Sequence, residues 1–262
     1  MQYNTLLFDV RDGVAYVTLN RPDASNGLEM EMGRELMDAA QRCDEDPDIR
    51  AILLSGAGSV FCVGGDLKNF ATQGEHLPYH LKELTTYFHA AISRLARMDA
   101  PVVAAVHGVA AGGGFSLAIS CDLVLAAESA RFTMAYSKAG LTPDGSSTYF
   151  LPRLVGFRRA MELTLTGRVL SAQEASEWGI VNRVVPDDDL SAEAAELASQ
   201  LASGPTKTLG ASKRLLHTGW TETLETQMEH ESQSIADAAR TADAREGIAA
   251  FTEKRSASFE GR

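Results

Sequence analysis

The chain carries the run 101–111 (PVVAAVHGVAA), then Gly112-Gly113-Gly114, then the apolar segment 115–121 (FSLAISC), so a buried strand must hand over to a helix at three residues without side chains. The first amides of a helix have no intrahelical acceptor. Glycine leaves them open to a ligand atom, with no Cβ in the way. An anion, or an oxygen that becomes one, is the natural guest. Close packing of the helix on the sheet accounts for the same triplet equally well.

The rest of the chain repeats this alternation. Residues 6–10 and 14–19 flank Asp12-Gly13, a tight-turn dipeptide between β-rich runs, and predict an opening hairpin. Leu28, Met32, Leu36, Ala39, Ala40 and Cys43 recur at helical spacing, and Asp46-Pro47-Asp48 ends that helix before a strand at 49–54. A second helix has Leu81, Leu84, Phe88, Ala91, Ile92, Leu95 and Met98 on one face. Pro101 stops it before a strand at 102–106. A helix from Gly113 and a strand at 122–126 continue the pattern, which predicts an α/β layer structure. The strands disappear at about Ser191. Helical stretches follow at roughly 192–202, 206–217, 223–239 and 242–251, and their many exposed faces suit packing on another subunit or docking within the chain. The division is therefore a core at 1–190 and a helical region at 191–262.

Composition narrows the function classes. A chain of 262 residues with 45% hydrophobic content can bury a substantial core. Its net charge of −11 argues against a general nucleic-acid or anionic-membrane surface, so any phosphate needs a local basic site. Cys43, Cys62 and Cys121 show no C-x-x-C spacing, as expected of buried thiols in a reducing compartment, and the cytoplasm is the expected location. No signal, transit or membrane segment is expected, because no apolar run reaches spanning length. No metal cluster or nicotinamide fingerprint is present in the sequence.

Gly64-Gly65-Asp66 follows a predicted strand and the turn Ser55-Gly56-Ala57-Gly58, and offers a second set of accessible amides. Two N–H groups converging on one oxygen would stabilise an enolate or a tetrahedral oxyanion. The segments Asn20-Arg21-Pro22 with Asn26, 61–67 (FCVGGDL), 107–114 (HGVAAGGG), Leu154-Val155-Gly156, and Ala175 with 178–181 (WGIV) resemble the enoyl-CoA hydratase/isomerase, or crotonase, family. Their order and spacing extend from about Val14 to Phe259. The resemblance implies a spiral of ββα repeats with a C-terminal helical trimerisation region, hence a homotrimer or a dimer of trimers. It also implies an acyl-CoA thioester whose oxygen is held by the amides of Gly65 and Gly113, with coenzyme A entering as part of the substrate and no other cofactor.

Members of this family that hydrate a double bond carry two glutamates. Their positions are held here by Ser116 and Tyr136. Hydration needs one group to activate water and another to move a proton, so its loss is expected. The stretch Leu141-Thr142-Pro143-Asp144-Gly145 resembles the pattern of the family's isomerases, in which one aspartate moves a proton between two carbons of an acyl-CoA. Asp144 is the expected base, in an apolar pocket from Tyr136, Met134 and Phe70. Pro-Asp-Gly-Ser is also good turn chemistry.

The same aspartate supports a rival expectation. In the family's 4-chlorobenzoyl-CoA dehalogenases an aspartate here attacks the aromatic ring and a histidine activates water, and His89 stands at the matching place, twelve residues before Pro101. Residues 158–163 (RRAMEL) and 217–220 (HTGW) resemble that subgroup, while Tyr136 replaces its tryptophan. A packed histidine on a helical face is the plainer account of His89. A CoA-ester binding protein without catalysis is a third reading. Ser116 is a small helix residue or a substrate-contacting hydroxyl, and His107 a structural hydrogen-bonding residue. Asp66 caps the helix that follows it. The resemblance sets Arg21 and Lys68 beside the nucleotide, with Asp66 and Leu67 framing the adenine through backbone atoms and Lys254 reaching it from a neighbouring subunit. Each of these cations is also an ordinary surface charge.

Overall fold

The computed structural model describes residues 3–262 and opens with the expected hairpin, β1 (Leu6–Arg11) antiparallel to β2 (Val14–Leu19). Residues 1 and 2, counted in the expected core, lie outside the described residues. Asp12 and Gly13 take φ of 50° and 77°, the left-handed pair that matches a two-residue turn to the strand twist. Helix α1 (Met30–Glu45) leads to β3 (Ala51–Gly56). The strand starts later than the expected 49–54, because the amides of Arg50 and Ala51 both donate to Gly13 O and hold the approach as a turn.

The segment before the second long helix is itself helical. Helix α2 (Leu67–Ala71) and a 3-10 turn lead into α3 (Leu77–Arg97). Then come β4 (Val102–Val106), β5 (Val109–Ala111), α4 (Gly113–Ile119), β6 (Leu123–Ala127) and β7 (Arg131–Thr133). After them follow α5 (Ser147–Val155), α6 (Phe157–Thr166), β8 (Val169–Ser171), α7 (Ala172–Glu177) and β9 (Arg183–Val185).

The strands sort into a six-stranded sheet in the order β1-β2-β3-β4-β6-β9 and a three-stranded sheet in the order β5-β7-β8. From β4 to β7 consecutive strands alternate between the two: β4 joins the large sheet and β5 the small one, then β6 and β7 repeat the move. Two isolated parallel bridges extend the small sheet backwards, Cys62 with Ala110 and Leu28 with Gly65. Each coil of the chain thus supplies a long strand, a short one and a helix. This is the ββα spiral.

Every residue of β4 is buried, as a parallel strand covered on both faces requires. Leu36, Ala39, Ala40 and Cys43 of α1 and Leu95 of α3 meet Val17, Ile52 and Leu54 on one face. Helix α8 (Leu190–Ala202) covers β3, β4 and β6 with the buried stripe Ala194, Ala198 and Ala202. The first helix of the C-terminal region therefore belongs to the core. Helices α9 (Thr206–Thr218), α10 (Leu224–Ala238) and α11 (Ala242–Glu253) follow it. They leave Leu216, Leu224, Ile235, Ile248 and Phe251 exposed, the last at 87%. Lys213 of α9 is turned inward, with Nζ donating to Leu95 O at 2.9 Å, Ala100 O at 3.2 Å and Asp122 Oδ2 at 2.9 Å.

Candidate active site

The two glycine loops lie in adjacent coils and touch. Leu28 N donates to Gly64 O at 2.7 Å and Asp66 N to Leu28 O at 2.9 Å, while Cys62 exchanges bonds with Val109 O and the Ala111 amide. A Cβ on Gly64, which has φ of 91°, would stand 2.8 Å from Ala111 O and 2.9 Å from Gly113 N. A Cβ on Gly114 would fall 2.3 Å from Cys62 O. Only glycine permits this approach. We expect Gly114→Ala to lose about 1–3 kcal/mol of stability in denaturant unfolding, the usual cost of forcing atoms into a packed contact. Parent-like stability would contradict the contact.

The amides of Cys62, Val63 and Asp66 in the first loop and of Ala111 and Gly112 in the second are paired, whereas those of Gly65 and Gly113 donate to no protein acceptor among the described residues. Both residues line one cavity of about 220 Å³. The first loop is held from below by Asn26, fully buried and at φ 55°. Its Nδ2 donates to Ala57 O, Val60 O and Phe61 O, and its Oδ1 accepts from Arg21 N. Burial pushes the Cys62 thiol up to about 12, so it remains a donor, to Asn26 O at 3.0 Å.

Asp144 lines the same cavity. Its Oδ1 accepts from Tyr136 Oη at 2.5 Å, and its backbone oxygen accepts from Ser147 Oγ at 2.8 Å. Tyr136 Oη also lies 2.9 Å from Ser116 Oγ. Burial first, and then the Asp144 charge, raise the Tyr136 phenol well above its ordinary value, so it stays protonated. Gly145 has φ of 59°, and a Cβ there would meet Phe88 at 2.7 Å and Ser116 at 2.8 Å. The non-glycine residues Ala135 and Ser146 also take left-handed backbone, at φ 37° and 64°. Unfavourable conformations thus flank both Tyr136 and Asp144, as they do where a functional geometry is held by its surroundings.

His89 reaches the same corner. Its Nε2 accepts from Gly145 N at 3.1 Å and lies 3.6 Å from Asp144 Oδ2, beyond hydrogen-bond range. A backbone N–H can only donate, so Nε2 carries no proton in this arrangement and its lone pair is occupied.

The remaining wall is apolar, with Phe70, Leu81, Leu84, Phe88 and Leu141. Phe70 and Tyr136 line it as expected. Met134 does not, because it follows β7 into the core, where it is 1% exposed. Leu81, Leu84 and Phe88, on the apolar face of α3, are part of this wall. Helical spacing shows which face is apolar and cannot say whether that face meets core or cavity.

Asp66 caps α2 by accepting from Asn69 N at 3.0 Å. Burial alone would raise its pKa, but the Asn69 amide and Arg21 outweigh it and hold the carboxyl below the usual range. Arg21 donates from Nη2 to Asp66 at 3.0 Å and from Nη1 to Gly27 O at 2.5 Å, so its guanidinium braces the first loop. Leu67 and Lys68 open α2 on the exposed side, and His107 Nε2 meets Gly58 O at 3.0 Å. Lys254 ends α11 in a left-handed C-cap, exposed and outside the cavity lining. No cluster of three or more His, Cys, Asp or Glu side chains suited to a metal occurs among the described residues. No helix there is long and apolar enough to cross a membrane.

The alternating two-sheet spiral, with the unpaired Gly65 and Gly113 amides on one largely apolar cavity, defines a crotonase fold, and comparison with known proteins agrees. The chain belongs to the Enoyl-CoA hydratase/isomerase family, which it matches over residues 9–262. It is 43% identical over 259 residues to the 1,2-epoxyphenylacetyl-CoA isomerase of Escherichia coli K12, covering 98% of each chain. It is 40% identical over 225 residues to 4-chlorobenzoyl coenzyme A dehalogenase-2 of an Arthrobacter species, covering 86% of this chain and 82% of that one. Among solved structures, an enoyl-CoA hydratase from Polaromonas sp. JS666 superposes with a TM-score of 0.93 at 33% identity, over 97% of this chain and 99% of that one.

Proposed function

We propose that the chain is an acyl-CoA isomerase that shifts a double bond, or opens a related ring, by moving one proton through Asp144. One observation carries this reading: Asp144 is the single carboxylate among the residues lining the cavity that holds the free Gly65 and Gly113 amides. Those amides would accept the thioester oxygen and acidify a proton conjugated to it. Asp144 would take that proton, leave the electron pair in a dienolate, and return the proton two carbons away. One carboxylate suffices for this task. Hydration requires a second group to activate water, and Ser116 and Tyr136 hydroxyls stand in place of the family's glutamates.

His89 favours a second reading, hydrolytic dehalogenation with Asp144 as nucleophile, because it lies 3.6 Å from Asp144. Against this, the Nε2 lone pair needed to activate water is occupied by the Gly145 amide. The third reading is a binder without catalysis. Incubation with straight-chain enoyl-, aryl- and halobenzoyl-CoA esters in deuterated water separates all three. We expect a double-bond or ring isomer that largely keeps its transferred hydrogen, since Asp144 returns the proton it took. Halide release or a hydrated product would overturn the isomerase, and binding without turnover across the panel would favour the binder.

Coenzyme A enters as part of the substrate, and this proton transfer needs no other cofactor. The exposed Phe157, Leu165, Leu216, Ile235 and Phe251 support assembly as a homotrimer or a dimer of trimers. Such an assembly would let Lys254 of one copy serve the nucleotide of another, beside Arg21, Asp66, Leu67 and Lys68. The free thiols of Cys43, Cys62 and Cys121 support a cytoplasmic location.

A further inference from the structure

Ser116 is completely buried on α4. Its Oγ lies 2.9 Å from Tyr136 Oη and 3.1 Å from Gly112 O, while Tyr136 Oη lies 2.5 Å from Asp144 Oδ1. Gly112 O and the Gly113 N–H are the two ends of one peptide group. Since the Gly113 N–H donates to no protein acceptor and its residue lines the cavity, a chain of hydroxyls joins the Asp144 carboxylate to a cavity-lining peptide.

We propose that Ser116 and Tyr136 couple the protonation of Asp144 to the donor strength of the Gly113 amide, which makes Ser116 a positioning residue. The identity of the moving proton rests on the isomerase reading. The coupling itself rests on the hydrogen-bond geometry.

Each hydroxyl has one hydrogen to give. An ionised Asp144 can only accept, so Tyr136 gives its hydrogen to Oδ1 and Ser116 turns its own toward Tyr136. When Asp144 Oδ1 holds the proton taken from carbon, it becomes a donor to Tyr136 Oη. Tyr136 then turns to Ser116 Oγ, and Ser116 turns to Gly112 O. Only O–H groups rotate, and the one proton transferred sits on Asp144 while its electron pair remains in the dienolate. A donor on Gly112 O polarises the peptide and strengthens the Gly113 N–H, by about 10–30% per bond in a cooperative chain. The strengthening arrives when the thioester oxygen carries its negative charge. An interaction that grows toward the transition state is the kind that accelerates a reaction. Return of the proton to carbon reverses the chain.

The test uses Asp144→Asn, whose side-chain amide can donate to Tyr136 as a protonated carboxyl does. The probe is a saturated acyl-CoA thioester, which binds without reacting, and the readout is its carbonyl stretch by infrared difference spectroscopy. We expect the stretch to lie lower on Asp144→Asn than on the parent, and the extra shift to vanish in Asp144→Asn/Ser116→Ala. Equal stretches with and without Ser116 would overturn the coupling. In kinetics, Ser116→Ala should lower kcat roughly tenfold with little change in KM, as loss of about one hydrogen bond at the transition state does. It should cost nothing further in a Tyr136→Phe background, and additive losses would overturn the shared path. The thioester probe does not react, so failure of the isomerase reading leaves the spectroscopic result standing and is seen separately in the product analysis.

Discussion

Asp144→Ala is expected to lower kcat by about 10²–10⁴-fold, the range of a positioned acid–base group, while leaving the affinity for a CoA ester within about threefold. The split follows from how the residue is held. Ser147 bonds to the Asp144 backbone oxygen, and His89 accepts from the Gly145 amide, so the loop keeps its anchors when the carboxylate is removed. The Gly65 and Gly113 amides belong to other coils and lose nothing. Steady-state kinetics beside calorimetric titration with a saturated acyl-CoA measures both quantities. Turnover within tenfold of the parent would remove Asp144 from the reaction, and lost affinity with unchanged kcat would recast it as a binding group.

The second large effect concerns stability. Lys213→Met should lose about 3–5 kcal/mol, because removing one partner of a buried ion pair leaves the other without its counterion. The Lys213 and Asp122 side chains are 10% and 17% exposed, and the ammonium also satisfies Leu95 O and Ala100 O. Asp122 keeps only the Val102 amide, at 2.8 Å. The contacts pin α9 to the end of α3, to the loop before β4 and to the start of β6, joining parts of the chain 91 to 118 residues apart. Replacing both partners, as Lys213→Met/Asp122→Leu, should recover part of the loss. Denaturant unfolding reads each variant, and a loss below about 1 kcal/mol for Lys213→Met would show that the pair does not hold the helix in place.

The elements legible in the sequence were those long enough to show a period or bounded by a marked turn. The Asp12-Gly13 hairpin, the α3 stripe stopped by Pro101, and the C-terminal helices are of this kind. Strands β5, β7, β8 and β9 have three residues each, too few to display alternation. Yet these are among the pieces that make the spiral. At the site, Gly65 and Gly113 were legible because glycine marks places where backbone must be reached. Asp144 was visible only through family resemblance, since its own neighbours read as a turn. The bond from Tyr136 to Asp144 could not be anticipated, because it depends on left-handed backbone at Ala135 and Ser146, residue types that carry no such signal.

The spiral has one more consequence. Gly65, Gly113 and Ala135 occupy the same station on three successive coils, three residues past the paired Cys62, Ala110 and Phe132, and Tyr136 and Asp144 follow. The proposed grip on a carbonyl is main chain held at glycines, whereas the proposed proton-handling groups are side chains alone. Descent can therefore rewrite the reaction while inheriting the grip. Ser116 and Tyr136, at the positions where the family resemblance sets a hydratase's glutamates, fit such a rewriting.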